Sequence, residues 1–136
     1  MSQSINRYKA NLRDVSFVLF EQFGLEELLG KAPYQDWGRE EVQTVLEEVY
    51  GWVQKYLGPY NATGDHEGCR VEGGNVKVPA GFKEAWKALY EAGWRSLSLE
   101  AKYGGQAGPF SLAMLAEVER EGIAAISGNY AVKGVE

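Results

Sequence analysis

The stretch from Arg39 to Leu57 constrains the fold more than any other part of the chain. Its apolar positions are Val42, Leu46, Val49, Val53, Tyr56 and Leu57. Separations of three, four and seven residues gather these side chains on one stripe of a helix. Glu40 and Glu41 in the first turn and Lys55 in the last complement the helix dipole, and Gly58-Pro59 closes the pattern. A helix with one apolar stripe must bury it against other elements, so the stretch points to a packed helical domain.

Other segments supply the partners. Leu12 to Phe23 is strongly apolar; Asp14 stands where it can cap the start, and Gly24 stops the run. Leu25 to Leu29 forms a short turn that ends at Gly30. From Gly81 to Ala92 the residues Phe82, Ala85, Trp86, Leu89 and Tyr90 share one helical face, and Gly93 suits the residue after the end. Ser111 is placed to cap a further helix through Glu121, with Leu112, Leu115 and Val118 on one side. Gly122 interrupts it, and residues 123–132 read as partly helical. Gly58 to Gly81 is the longest turn-rich stretch. Within it, Tyr60 to Cys69 reads as loop and Arg70 to Val78 as a short hairpin around Gly73-Gly74. Trp94 to Leu99 reads as extended or irregular. The fold class is all-α, a bundle of four to five helices with one small β-hairpin.

At 136 residues the chain suits a single domain, 1–136, because neither side of the turn-rich stretch is long enough to hold a comfortable core of its own. A formal net charge of −5 disfavours a nucleic-acid backbone or an anionic membrane as the main partner. No apolar run approaches the roughly 20 residues of a membrane span. A single cysteine, Cys69, leaves no intrachain disulfide to form, and Met1 to Arg7 lacks the apolar segment of a secretory signal. The expected location is cytoplasmic.

Candidate chemistry is sparse. His66 and Cys69 lie in Asp65-His66-Glu67-Gly68-Cys69 at a spacing that could begin a zinc site. One histidine and one cysteine fall short of the usual closed sets, so no metal is assigned. The same two residues make a poor nucleophile and base, since nothing nearby orients the histidine. Glu40-Glu41, Glu47-Glu48 and the acids Glu117 and Glu119 fit the solvated faces of amphipathic helices, so no catalytic residue is assigned either. The most unusual local feature is the loop Lys102-Tyr103-Gly104-Gly105-Gln106-Ala107-Gly108-Pro109-Phe110. Its glycines can bring backbone close to a ligand. No Gly-Lys-Ser/Thr follows, so it is not a P-loop, and it lacks the strand–turn–helix context of a dinucleotide fingerprint.

Taken in order, Leu89-Tyr90-Glu91-Ala92-Gly93-Trp94, the Tyr103-Gly104-Gly105-Gln106 loop and Leu112-Ala113-Met114-Leu115-Ala116-Glu117-Val118 resemble the N-terminal helical domain of the acyl-CoA dehydrogenases. Tyr8 to Asp14 with Phe17-Val18-Leu19, within residues 1–30, resembles the extra N-terminal segment of the larger family members. The likeness covers nearly the whole chain. One departure is Ala107, which stands where the family usually has the third glycine of its Tyr-Gly-Gly-x-Gly loop. Family members are also several times longer, with a β-domain and a C-terminal helical domain after this one.

The resemblance implies that this chain forms part of an acyl-CoA binding pocket. Tyr103, Gly104 and Gly105 match the loop beside that pocket, and Phe110, Met114 and Ser127 would face it. In the complete enzyme FAD takes a hydride from the β-carbon of an acyl-CoA while a carboxylate takes the α-proton. The flavin-binding and catalytic-base domains belong to the remainder of such an enzyme, so this chain alone is expected to hold no FAD and to lack catalysis. Its expected partners are an acyl-CoA and the remaining dehydrogenase domains or a partner subunit, with a homo-oligomer possible. The alternative reading is a non-catalytic helical protein-interaction module.

Overall fold

In the computed structural model, which describes Asn6 and residues 8–113, helices dominate and a single antiparallel hairpin interrupts them. Helix α1 spans Leu12–Ser16 and runs directly into a π-helical segment, Phe17–Gln22. The cap is Asn11, not Asp14. Asn11 is extended (φ −95°, ψ 90°), and its side-chain oxygen accepts the Arg13 N–H at 3.2 Å. Asp14, inside the first turn, accepts from the Asn11 amide nitrogen at 2.8 Å and so steadies the cap. The segment buries Leu19 and Phe20, and Gly24 stops it in the left-handed region (φ 63°).

Helix α2, Arg39–Tyr56, is the spine of the domain. Val42, Leu46, Val49 and Val53 are each at most 2% exposed, as the stripe requires. Tyr56 departs from it: half-buried, it stacks on Trp52 with ring centroids 5.3 Å apart. At the start of α2 the Glu41 carboxylate accepts the Gly38 N–H at 2.9 Å. Arg39 lies over the Phe20 ring at 4.3 Å and pairs with Glu26 at 2.8 Å, bracing α2 against the first segment.

Helix α3, Gly58–Glu67, lies where a loop was expected. Gly58-Pro59 does end α2, because proline cannot supply the next N–H of the ladder. The same ring is favourable in a first helical turn, so the chain bends and immediately rewinds. Gly64 in α3 lies against the Phe82 ring, and the Tyr60 ring covers Gly81. These close approaches, rather than an apolar stripe, dock α3.

Strands β1, Arg70–Glu72, and β2, Asn75–Lys77, pair antiparallel with Val71 opposite Val76, as expected. Gly73 and Gly74 are both left-handed (φ 59° and 79°), which a two-residue I′ turn demands. All six strand residues are exposed. Glu67 ties the base of the hairpin: one carboxylate oxygen pairs with Arg70 at 3.2 Å and the other accepts the Ala80 N–H at 3.1 Å.

Helix α4, Phe82–Glu91, buries Ala85 and Leu89 and half-buries Phe82 and Trp86. Tyr90 does not join that face. It is exposed, with its ring 5.3 Å from that of Trp86 and 5.6 Å from the Arg95 guanidinium. Gly93 ends the helix at φ 75°. Trp94–Ser96 is a 3-10 turn, not an extended run, and it delivers Leu97 fully into the core. The next helix is already wound at Phe110, where the Ala113 N–H donates to the Pro109 carbonyl at 3.1 Å. Ser111 therefore lies inside this helix and is not its cap. Leu115, Val118, Glu121, Gly122 and residues 123–132 lie outside the described residues.

The core joins Leu19 and Phe20 to the α2 stripe, and Leu97 and Leu112 close it from the C-terminal side. Each such fully buried aliphatic side chain stabilises the fold by roughly 1.5–3 kcal/mol. The glycine-rich loop runs between Leu97 and Leu112, and these two core residues fix its ends.

Candidate functional site

The loop opens with a 3-10 turn, Ala101–Tyr103, which Gly104 ends in the left-handed region at φ 80°. Each backbone N–H from Tyr103 to Gly108 then finds a carbonyl within the same part of the chain. Tyr103 and Gly105 donate to Glu100 at 2.9 and 3.2 Å, Gly104 to Ala101 at 3.0 Å and Gln106 to Ser96 at 3.4 Å. Ala107 donates to Leu99 at 2.8 Å and Gly108 to Leu97 at 2.9 Å. The loop is folded flat against residues 96–100.

Two glycines are needed for that closeness. A Cβ on Gly105 would run into the Leu99 carbonyl, which is backbone and cannot yield. A Cβ on Gly108 would stand 2.9 Å from the Trp37 ring and 3.1 Å from the Leu97 oxygen. The first requirement on these glycines is thus packing of the chain on itself. Gly104 faces open space and is needed for its φ. Ala107 adopts φ 49°, the one left-handed non-glycine among the described residues. In the loop pattern that the sequence resembles, the third glycine stands at this position, and a residue without a Cβ suits such a backbone.

Trp37 was not singled out from the sequence. It is 8% exposed, and its indole N–H donates to the Gln106 carbonyl at 3.2 Å across 69 residues of chain. No local pattern announces such a contact. Beside it a cleft of about 470 Å³ is lined by Asp36, Trp37, Glu40, Glu41, Thr44, Val45 and Gln106. Its three carboxylates suit neither an anionic coenzyme nor an acyl chain.

Large side chains in and beside the loop reach solvent. Tyr103 is 70% exposed, Phe110 62% and Leu99 47%. Of the sequence-derived candidates, Tyr103, Gly104 and Gly105 share this one loop, and Phe110 starts the helix that follows it. Met114 and Ser127 lie outside the described residues. With its amide N–H groups spent internally, the loop is not an anion cradle; it offers apolar side chains on a stiff support.

His66 and Cys69 stand apart from this loop. His66 is exposed in the last turn of α3, and Cys69 is half-buried just before β1. Among the described residues no three His, Cys, Asp or Glu side chains converge closely enough to hold a metal ion. No described helix is long and apolar enough to cross a membrane.

No protein-family model matches the chain. Individual proteins do. The 3-methylmercaptopropionyl-CoA dehydrogenase of Ruegeria pomeroyi is 30% identical over 102 residues, which cover 75% of this chain and 17% of that protein. The broad-specificity linear acyl-CoA dehydrogenase FadE5 of Mycobacterium tuberculosis is 27% identical over 107 residues, 77% of this chain and 18% of that protein. The butyryl-CoA dehydrogenase of Syntrophomonas wolfei is 29% identical over 90 residues, 63% of this chain and 15% of that protein. The chain spans about a sixth of the length of these relatives. The three relatives are all acyl-CoA dehydrogenases, and the chain is an acyl-CoA dehydrogenase-like segment that resembles one domain of those enzymes.

Proposed function

We propose that this chain supplies one wall of an acyl-CoA pocket in an FAD-dependent dehydrogenase of the acyl-CoA class. Tyr103, Gly104 and Gly105 form the edge of that wall and Phe110 extends it; Met114 and Ser127, which the resemblance also assigns to the pocket, lie outside the described residues. The observation that carries this reading is the loop itself: every N–H from Tyr103 to Gly108 is consumed internally, while Leu99, Tyr103 and Phe110 stand outward. A saturated acyl chain asks for such a surface, because each methylene removed from water contributes about 0.8 kcal/mol.

The Tyr103 to Gly108 loop offers a flavin no free backbone donors. An isoalloxazine ring and its pyrophosphate need convergent donors, and the loop amides are already committed. No step is therefore assigned to this chain through FAD, and the redox centre and the α-proton base would come from remaining dehydrogenase domains, in the same or a partner polypeptide. The chain's own contribution is to exclude water and position the acyl group.

Calorimetric titration of the chain with butyryl-CoA, repeated with Tyr103→Ala and Phe110→Ala, tests the wall. One open face gives weak binding, in roughly the millimolar range. Each substitution should weaken it severalfold, and affinity should rise when a longer saturated acyl-CoA is used. Binding that ignores both substitutions and the length of the acyl chain would refute the reading. Purification of the chain with stoichiometric FAD and turnover would refute the assignment of the flavin elsewhere.

A second reading, a non-catalytic protein-interaction module, is favoured by Phe17, Phe23 and Leu28. These stand 52%, 73% and 56% exposed around the end of the first helical segment. Sedimentation that shows a monomer unaffected by their replacement with serine counts against it.

A further inference from the structure

We propose that Trp37 is a positioning residue for the Tyr103 to Gly108 loop; its functional importance rests on the reading of that loop as an acyl-facing wall. The six amide bonds of the loop all stay within residues 96–108. They fold the segment on itself, and Leu97 and Leu112 anchor its ends in the core. The Trp37 indole reaches into that segment from outside it. Its N–H holds the Gln106 carbonyl at 3.2 Å, and its ring edge lies on the face of Gly108 that a Cβ would occupy.

Ala107 lies between these two contacts with φ 49°. A left-handed alanine tends to relax toward the right-handed or extended region. Trp37 grips both of its neighbours and so opposes that relaxation. The tryptophan is itself well anchored. Its backbone N–H donates to the Tyr34 carbonyl at 3.1 Å, and its backbone carbonyl accepts the Gly30 N–H at 2.9 Å. Trp37 is 8% exposed and belongs to the same core cluster as the α2 stripe. A clamp rooted in the residues just before α2 therefore holds the Gln106 to Gly108 stretch that joins Tyr103 to Phe110, although it is far from them in sequence.

The test uses two replacements at position 37. One is 3-benzothienylalanine, which keeps the bicyclic ring and exchanges the N–H for sulfur. The other is Trp37→Phe. Amide hydrogen exchange is followed at Ala107 and Gly108, and at Leu46 and Val49 in α2. The benzothienyl variant should speed exchange at the two loop amides about fivefold, the effect of one net hydrogen bond, and Trp37→Phe should speed it further. The α2 amides should change less than about twofold in the benzothienyl variant. Loop exchange that is unchanged, or that rises equally in α2, overturns the proposal. Titration with butyryl-CoA provides the second readout. If the natural chain binds it, the benzothienyl variant should bind severalfold more weakly, and unchanged affinity overturns the proposal. If the natural chain does not bind it, the acyl-wall reading fails, and the exchange ratio alone decides whether Trp37 sets the loop.

Discussion

Replacing Ala107 with glycine should stabilise the protein, against the usual sign for alanine to glycine. The residue holds φ 49° in a loop whose neighbours are fixed on both sides. A Cβ in the left-handed region costs about 1–2 kcal/mol. Glycine removes that cost and returns about 0.4–1 kcal/mol of it through its freer unfolded chain. The net gain is roughly 0.5–1 kcal/mol. Unfolding entropy of about 2.1 cal/mol/K per residue, over 136 residues, turns this into a rise in Tm of roughly 2–3 °C. Thermal unfolding followed by far-UV circular dichroism reads it directly. Ala88→Gly, the same change inside α4, is the control and should cost about 1 kcal/mol. If Ala107→Gly lowers Tm as Ala88→Gly does, the left-handed geometry is wrong and the account of the family's third glycine fails with it.

Gly105→Ala should cost about 2–4 kcal/mol in urea unfolding, because its Cβ meets the Leu99 backbone carbonyl rather than a movable side chain. Gly64→Ala should cost less, about 1–3 kcal/mol, since the Phe82 ring that it meets is a half-buried side chain able to turn aside. Leu46→Ala should lose about 2–5 kcal/mol by the same measure, as the centre of the α2 stripe at 2% exposure. Trp94→Phe should cost clearly less than Trp37→Phe. The buried Trp94 indole N–H has no acceptor among the described residues, whereas that of Trp37 holds Gln106. Equal losses in the two variants would count against the Gln106 bond.

What the sequence made legible follows from how local each cause is. The α2 stripe was readable because burial repeats at helical spacing over the 18 residues from Arg39 to Tyr56. The Gly73-Gly74 turn was readable because two adjacent residues carry its whole conformational demand. Helix α3 was not. It has no apolar face, and both its glycines and its proline carry the composition of a turn. Pro59 was the available signal, since proline that ends one helix is also well suited to start the next. Gly64 serves contact with Phe82, 18 positions along, and such a purpose leaves no mark in its own neighbourhood. The caps show the same limit at short range: Asn11 and Asp14 are both good capping residues, and the extended backbone at Asn11 decides between them.

The candidate site divides along the same line. A glycine-rich loop before a helix was visible in the sequence, and the motif order tied it to a family. Its glycines then suggested backbone drawn close to a ligand. The structure gives them an earlier duty, since Gly105 and Gly108 admit Leu99, Leu97 and Trp37, and Gly104 makes a turn. A loop that spends its amides and its glycines on its own packing cannot adapt its backbone to a substrate at small cost. Whatever specificity it carries must reside in the side chains it holds outward and in how firmly they are held. Under the proposed acyl-wall reading, contact would fall to Tyr103 and Phe110 and registration to Trp37. It also explains why variation at position 107 is informative: an alanine there is tolerated only while the clamp on either side of it outweighs the strain it stores.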